Sequence, residues 1–139
     1  MTAQILFRLY GEPVAKGRPR FTRQGRAYTP AKTKTYEEEV ALFAKAAMKD
    51  LEPLKTPVAV SVHATFPIPQ GYSKKRRQAC LDGSERHLKR PDLDNIVKAI
   101  TDGMNGVVYD DDSQIVRLQA KKVYGTDGMV EVFVQEELP

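Results

Sequence analysis

The chain has 139 residues, with 22 Lys and Arg against 18 Asp and Glu, a formal charge of +4 and one cysteine, Cys80. That length predicts one domain over residues 1–139 with a real core. A lone cysteine excludes an internal disulfide and points to a reducing, cytoplasmic setting, while no apolar run is long enough for a signal peptide or a membrane span.

In chain order, residues 4–11 alternate with Ile5, Phe7 and Leu9 on one side and predict a strand. Residues 18–30 (RPRFTRQGRAYTP) read as a basic hairpin or arm turning at Gln24-Gly25. Thr29-Pro30 and the capping box Thr35-x-x-Glu38 are alternative starts of a first helix, whose apolar stripe is Tyr36, Val40, Phe43, Ala44, Ala47 and Leu51. Pro53 and Pro57 end it, and Val58, Val60, Val62, Ala64 and Phe66 then mark a strand with one buried face. Ser73 is placed to cap a short basic helix that closes at Asp82-Gly83, and residues 84–91 read as a mobile linker. A second amphipathic helix is expected from about Asp92 to Asn105, burying Leu93, Val97, Ile100 and Met104 and stopping at Gly106. Val107 to Tyr109 read as extended. Two last strands, 115–124 and 129–135, are expected to join at Thr126-Asp127-Gly128, with Val116, Leu118, Ala120, Val130, Val132 and Val134 facing inward. The sum is a small α+β domain: a mixed, largely antiparallel sheet packed with two main helices.

Charge is strongly segregated along this order. Residues 1–35 hold eight bases, Arg8, Lys16, Arg18, Arg20, Arg23, Arg26, Lys32 and Lys34, against Glu12 alone. Residues 74–90 hold seven, Lys74, Lys75, Arg76, Arg77, Arg86, Lys89 and Arg90, against Asp82 and Glu85. Residues 91–139 hold ten acids against four bases. Basic blocks of this density favour a polyanion, most simply nucleic acid, although solvated loops would give the same composition.

Six aspartates crowd the stretch from Arg90 to Val116. Asp92 and Asp94 suit a helix N-terminus, where a cap and the dipole account for them. Asp94, Lys98 and Asp102 are four apart, on one helix face, as in a surface ion-pair ladder. Asp110, Asp111 and Asp112 taken alone read as a solvated turn. Taken together they predict more, because the short return from Gly106 can bring Asp112 beside Asp92 and Asp94. Converging carboxylates without a cation destabilise one another. An all-oxygen set, with His63 on a strand and His87 on a loop, selects Mg²⁺ or Mn²⁺ over Zn²⁺. An acidic metal site rimmed by basic segments suits metal-assisted attack on a phosphodiester, with Lys98 as a fixed positive charge.

RPDLDNIVKAITDGMNGVVYDDDSQIV, together with PVAKGRPRF…GRAYTP and GYSKKRRQACLDG, resembles the pattern of the RusA-type Holliday-junction resolvases, common in prophages; the likeness covers about residues 10–125. It implies catalytic carboxylates at Asp92, Asp94 and Asp112, an essential Lys98, and a second acid at Asp111 beside the metal. Asp102 matches another recurrent acid. It implies Mg²⁺ dependence, with Mn²⁺ as a substitute, a homodimer, and paired nicks in a four-way or branched DNA during recombination and repair. Contacts to that DNA are expected from Lys16, Arg18, Arg20, Arg23, Arg26, Lys74, Lys75, Arg76, Arg77, Lys89 and Arg90. Pro91 departs from the pattern, since some members carry a basic residue there, which bears on cleavage-sequence preference. The alternative is a catalytically inactive or non-junction-specific branched-DNA-binding protein.

Overall fold

The computed structural model describes residues 2–17, 20–28 and 30–139. Four strands form one sheet: β1 (Gln4–Tyr10), β4 (Val58–Pro67), β5 (Ile115–Gly125) and β6 (Met129–Glu136), in the order β1-β6-β4-β5. β6 runs antiparallel to both β1 and β4, and β5 runs parallel to β4. The register draws apolar rows across the sheet: Ile5, Val134, Val60; then Phe7, Val132, Val62; then Leu9, Val130, Ala64. Every one of these side chains is buried. Alternation along each strand therefore sends one face to the core, as the sequence predicts.

The last two strands are not partners. β4 stands between them, and residues 126–128 carry the chain over its end. β4 turns away there, with the Ile68 N–H donating to the Gly125 carbonyl. A hairpin and this crossing carry the same local turn chemistry, so Asp127-Gly128 could not distinguish them. The parallel pairing of β4 with β5 needs a long crossover, and residues 68–114, with their helices, supply it. β5 is consequently an edge strand. Val116 and Leu118, expected inside, are 61% and 50% exposed. Leu118 extends the row of Val60 at the sheet edge, and Val116 is the residue left without a partner where the β4–β5 register shifts.

Two helices pack on the sheet, α1 (Ala31–Met48) and α3 (Leu93–Met104), with the short α2 (Lys74–Asp82) beside β5. α1 starts after Pro30, not at the Thr35 box. Its buried positions are Thr33, Tyr36, Val40, Ala44 and Met48, while Phe43 and Leu51 stay exposed. The stripe thus follows i, i+4 spacing through Met48, and Phe43 falls to its solvent side. α2 begins as expected, with Ser73 Oγ accepting from the Arg76 N–H, and ends at Gly83. α3 buries Ile96, Val97, Ala99, Ile100, Thr101, Gly103 and Met104. α1 crosses α3 at Gly103, where a Cβ would come within 2.7 Å of Val40. That close approach sets Glu37 of α1 near Asp102 of α3. A two-stranded hairpin, β2 (Arg20–Phe21) with β3 (Ala27–Tyr28), stands apart from the main sheet and closes through Thr22 and Arg26.

The linker over residues 84–91 is anchored. His87 is buried, its ring stacked on Phe66 at 3.9 Å and edge-on to Tyr124 at 5.1 Å. Lys122, in the row of Ala64, donates to the carbonyls of Lys89 and Pro91. Burial, then the nearby Lys122 and Lys89 charges, hold the His87 pKa below its ordinary value, with Glu12 opposing. The unfolded chain therefore takes up a proton that the folded one resists. Stability is unaffected above the unfolded pKa of about 6.5 and falls as pH drops below it. Urea melts between pH 7.5 and 5 should show this loss, and His87→Phe, which can stack but not titrate, should remove its part of the slope. A slope unchanged by that variant would assign the loss to other groups.

Candidate active site

The loop after α3 is built around Tyr109 and Gln114. Tyr109 is fully buried, and its hydroxyl donates to the Thr101 carbonyl at 2.7 Å. The Gly106 N–H donates to the Tyr109 carbonyl, and the Leu54 N–H to that of Val108. Residues 107–109 form a turn ending in isolated bridges, not the extended run expected. Gln114 accepts from the Asp110 and Asp111 N–H groups and donates to the carbonyls of Leu54 and Thr56. Four hydrogen bonds on one amide fix the path of the aspartates. The spacing Asp111-x-x-Gln114 is a local capping-box signal for the two bonds that Gln114 accepts, but the two bonds it donates, to Leu54 and Thr56 about 60 residues away, have no local signal.

The three consecutive aspartates have separate fates. Asp110 pairs with Lys55 at 2.8 Å on the surface. Asp111 caps a 3₁₀ turn (Asp112–Gln114), accepting from the Ser113 N–H, and the Ser113 hydroxyl followed by that N–H hold its carboxyl below the ordinary range. Asp112 turns to α3, where its Oδ2 lies 3.7 Å from Lys98 Nζ.

Lys98 is the meeting point. Its ammonium lies 3.0 Å from Asp102 Oδ1, so of the expected i, i+4 ladder the Lys98–Asp102 rung forms, and that rung is not fully solvated, while among the described residues no ion pair joins Asp94 to Lys98. Asp102 is mostly covered and its Oδ2 lies 3.2 Å from Lys16 Nζ, which also binds Glu37. The hydrogen bond to Asp102, against some desolvation and with help from Asp112, raises the Lys98 pKa above its ordinary value. Lys98 therefore stays a cation at neutral pH, suited to facing developing negative charge and unsuited to acting as a base.

Asp92 and Asp94 open α3, Asp94 one turn before Lys98. Asp92 sits at the N-cap with extended backbone, yet its side chain makes no cap hydrogen bond. The capping explanation accordingly does not account for it. The expected gathering of Asp92, Asp94, Asp111 and Asp112 is not closed: among the described residues, no three carboxylate, imidazole or thiol side chains are grouped to hold one ion. In this loop Asp111 serves as the cap of the 3₁₀ turn and Asp112 faces Lys98. In kind the donors still fit a hard divalent cation, being oxygen ligands only, with Asp92 uncommitted to the helix.

A groove of about 800 Å³ opens beside Asp92, walled by Pro13, Val14, Ala15, Pro30 and Pro91 and edged by Arg20, Lys32 and Arg90. A second concavity, about 430 Å³, lies on the sheet by Ser61, Gln119 and Phe133, away from the aspartates. The hairpin presents Phe21 and Tyr28, 69% and 47% exposed, with Arg20, Arg23 and Arg26. Lys74 and Lys75 are exposed at the start of α2. Arg76 lies over the Tyr72 ring at 3.6 Å and pairs with Glu85, Arg77 donates to the Pro69 carbonyl, and Lys89 donates to the Tyr72 hydroxyl. Arg18 lies outside the described residues.

Two carboxylates thus stand at the start of α3, a protonated lysine one turn on and a loop aspartate returned to that lysine, beside a groove edged by basic side chains. Residues 10–135 match the family described as "Endodeoxyribonuclease RusA", and the chain belongs to that nuclease family. It is similar to "Uncharacterized protein YqaN" of Bacillus subtilis (strain 168), 39% identical over 137 residues, which covers 95% of this chain and 96% of that one. It is also similar to "Crossover junction endodeoxyribonuclease rusA" of Lactococcus phage r1t, 48% identical over 48 residues, 34% of this chain and 37% of the phage protein. Among the described residues no helix is long and apolar enough to cross a membrane.

Proposed function

We propose that the chain is a Mg²⁺-dependent endonuclease that resolves four-way DNA junctions by paired nicks. The observation that carries this reading is the return of Asp112 to Lys98, on the helix face that begins with Asp94. Asp92, Asp94 and Asp112, with Asp111 adjacent, would hold the ion, which supplies Lewis-acid polarisation and a more acidic water when bound. Lys98, kept protonated by Asp102, stabilises negative charge on the phosphate under attack. Arg20, Lys32 and Arg90 draw the backbone along the groove toward Asp92. Phe21 and Tyr28 supply stacking surface for bases opened at the crossover.

The test is incubation with Mg²⁺ or Mn²⁺ and labelled four-way junction, replication-fork mimic and linear duplex. Symmetric nicks in the junction, with intact duplex, are expected. Tight junction binding without cleavage in either metal would instead support the second reading, a branched-DNA-binding protein, which the unclosed carboxylate group favours.

The hairpin bears on affinity. Joint replacement of Arg20, Arg23 and Arg26 by alanine should weaken junction binding. It should also flatten the plot of log affinity against log salt by about 0.9 for each phosphate no longer neutralised. Replacing Arg76 and Arg77 should act less through salt than through stability, because both are tied to the protein itself. An unchanged slope in the hairpin variant would place DNA elsewhere.

Paired nicking further requires two sites related by the junction's approximate two-fold symmetry, which a homodimer provides. Wild type mixed with excess Asp94→Asn chain should nick one strand and resolve poorly. Sedimentation of monomers only, on and off DNA, with efficient paired nicking would exclude the dimer.

A further inference from the structure

Lys16 lies in a basic arm whose composition suggests a phosphate contact, and it lines the groove beside Asp92, but its ammonium is held by acids of both helices. The Lys16 N–H donates to the Asn95 carbonyl at 2.8 Å, and the Gly17 N–H donates to Thr33 Oγ1 at 2.9 Å. The segment is thereby stapled between the first turns of α3 and α1. The Lys16 side chain is only 21% exposed, and its ammonium lies between Glu37 Oε1 at 2.5 Å and Asp102 Oδ2 at 3.2 Å. The other oxygen of Asp102 binds Lys98 at 3.0 Å, and Lys98 reaches Asp112 at 3.7 Å. Acids and cations thus alternate in one line, Glu37, Lys16, Asp102, Lys98, Asp112, spanning the arm, both helices and the aspartate loop.

We propose that Lys16 is a positioning residue for Lys98: by occupying Glu37 and one oxygen of Asp102, it leaves the Lys98 ammonium only partly claimed by Asp102 and directed at Asp112. Charge balance is the reason. Glu37 and Asp102 have side chains 18% and 16% exposed, so neither is well solvated. Without Lys16 they stand as two mutually repelling carboxylates, and Lys98 is the cation left beside them. An attraction between such poorly solvated charges is strong enough to redirect a flexible, half-exposed lysine. Lys98 is then drawn inward, along its existing bond to Asp102, and away from the longer contact to Asp112. Burial works against the Lys16 charge, but the bonds from Glu37 and Asp102 outweigh it and raise its pKa, so Lys16 is charged at neutral pH.

The effect on cleavage rests on the nuclease reading, and the experiment has an arm that does not. Three variants are compared with wild type: K16M, K16R and the double variant K16M/E37Q. Single-turnover cleavage of saturating junction should fall about ten- to a hundredfold in K16M, the range typical of residues that support a reacting group. Junction affinity and its salt slope should not change, and K16R should recover most of the rate. K16M/E37Q removes the stranded carboxylate together with its cation and should melt like wild type. Its rate should stay low, because Asp102 still lacks its second partner; a purely structural role would restore the rate along with the melting temperature. The independent arm is zero-length carbodiimide cross-linking of free protein, read by fragment-ion mass spectrometry. The ratio of Lys98–Asp112 to Lys98–Asp102 links should fall several-fold in K16M and K16M/E37Q, which lack a cation at position 16, and stay near wild type in K16R. A protein that cuts no branched DNA yet shows this fall would overturn the nuclease reading and leave the positioning role standing. An unchanged ratio overturns the positioning role, as does a K16M that loses affinity with a flatter salt slope at an unaltered rate, which would make Lys16 a phosphate contact.

Discussion

Asp94→Asn should abolish junction cleavage in Mg²⁺ while junction binding survives or tightens. The amide keeps the shape of the side chain and its exposed place in the first turn of α3. It removes one negative charge that complements the helix dipole, worth about 0.3–1 kcal/mol, so the fold is retained. On the nuclease reading it also removes a charged oxygen donor, which a hard cation requires. Binding moves the other way, because a carboxylate repels the phosphate that it must meet. Electrophoretic binding in Ca²⁺ or without metal, beside single-turnover cleavage in Mg²⁺, separates the two effects. Cleavage near the wild-type rate would remove Asp94 from the site and return it to the role of a dipole-complementing helix residue.

Lys98→Ala divides the functional reading from the structural one by magnitude. As a half-exposed ion pair with Asp102, Lys98 contributes under about 1 kcal/mol to stability. As a fixed cation at the reacting phosphate, its removal should cost about a hundredfold or more in rate. The melting temperature should therefore shift little while cleavage collapses. Lys98→Arg keeps the charge but not its compact shape, and should recover only part of the rate. Equal rates for Lys98→Ala and wild type would leave the lysine as one rung of a surface ladder.

Local chemistry makes several features of this protein legible in its sequence. Ile5, Phe7 and Leu9 alternate because one face of β1 is buried. Ser73 and Gly83 bound α2 because a hydroxyl satisfies a free N–H and glycine accepts φ near 87°. The apolar stripe of α3 fixes which side faces the sheet, and the spacing of Asp94, Lys98 and Asp102 then follows from 3.6 residues per turn. Each of these depends on neighbours within a turn or a strand.

What the chain does at long range depends on partners that sequence distance hides. β5 and β6 carry sound strand patterns, but which strand each pairs with is decided by where β4 runs, and the edge position of β5 exposes Val116 and Leu118. The linker before α3 is polar in composition, yet His87 and Lys122 hold it because Phe66 and Tyr124 stand side by side in the parallel register. Nothing in the aspartate run itself discloses how its charges divide among Lys55, Ser113 and Lys98. Lys16, one base among many in its arm, meets Glu37 and Asp102 only because α1 and α3 cross closely at Gly103. Residue types and helical spacing determined which groups the site contains; the packing of helices and loop, which sets the distances between charges, decided which of them act on one another.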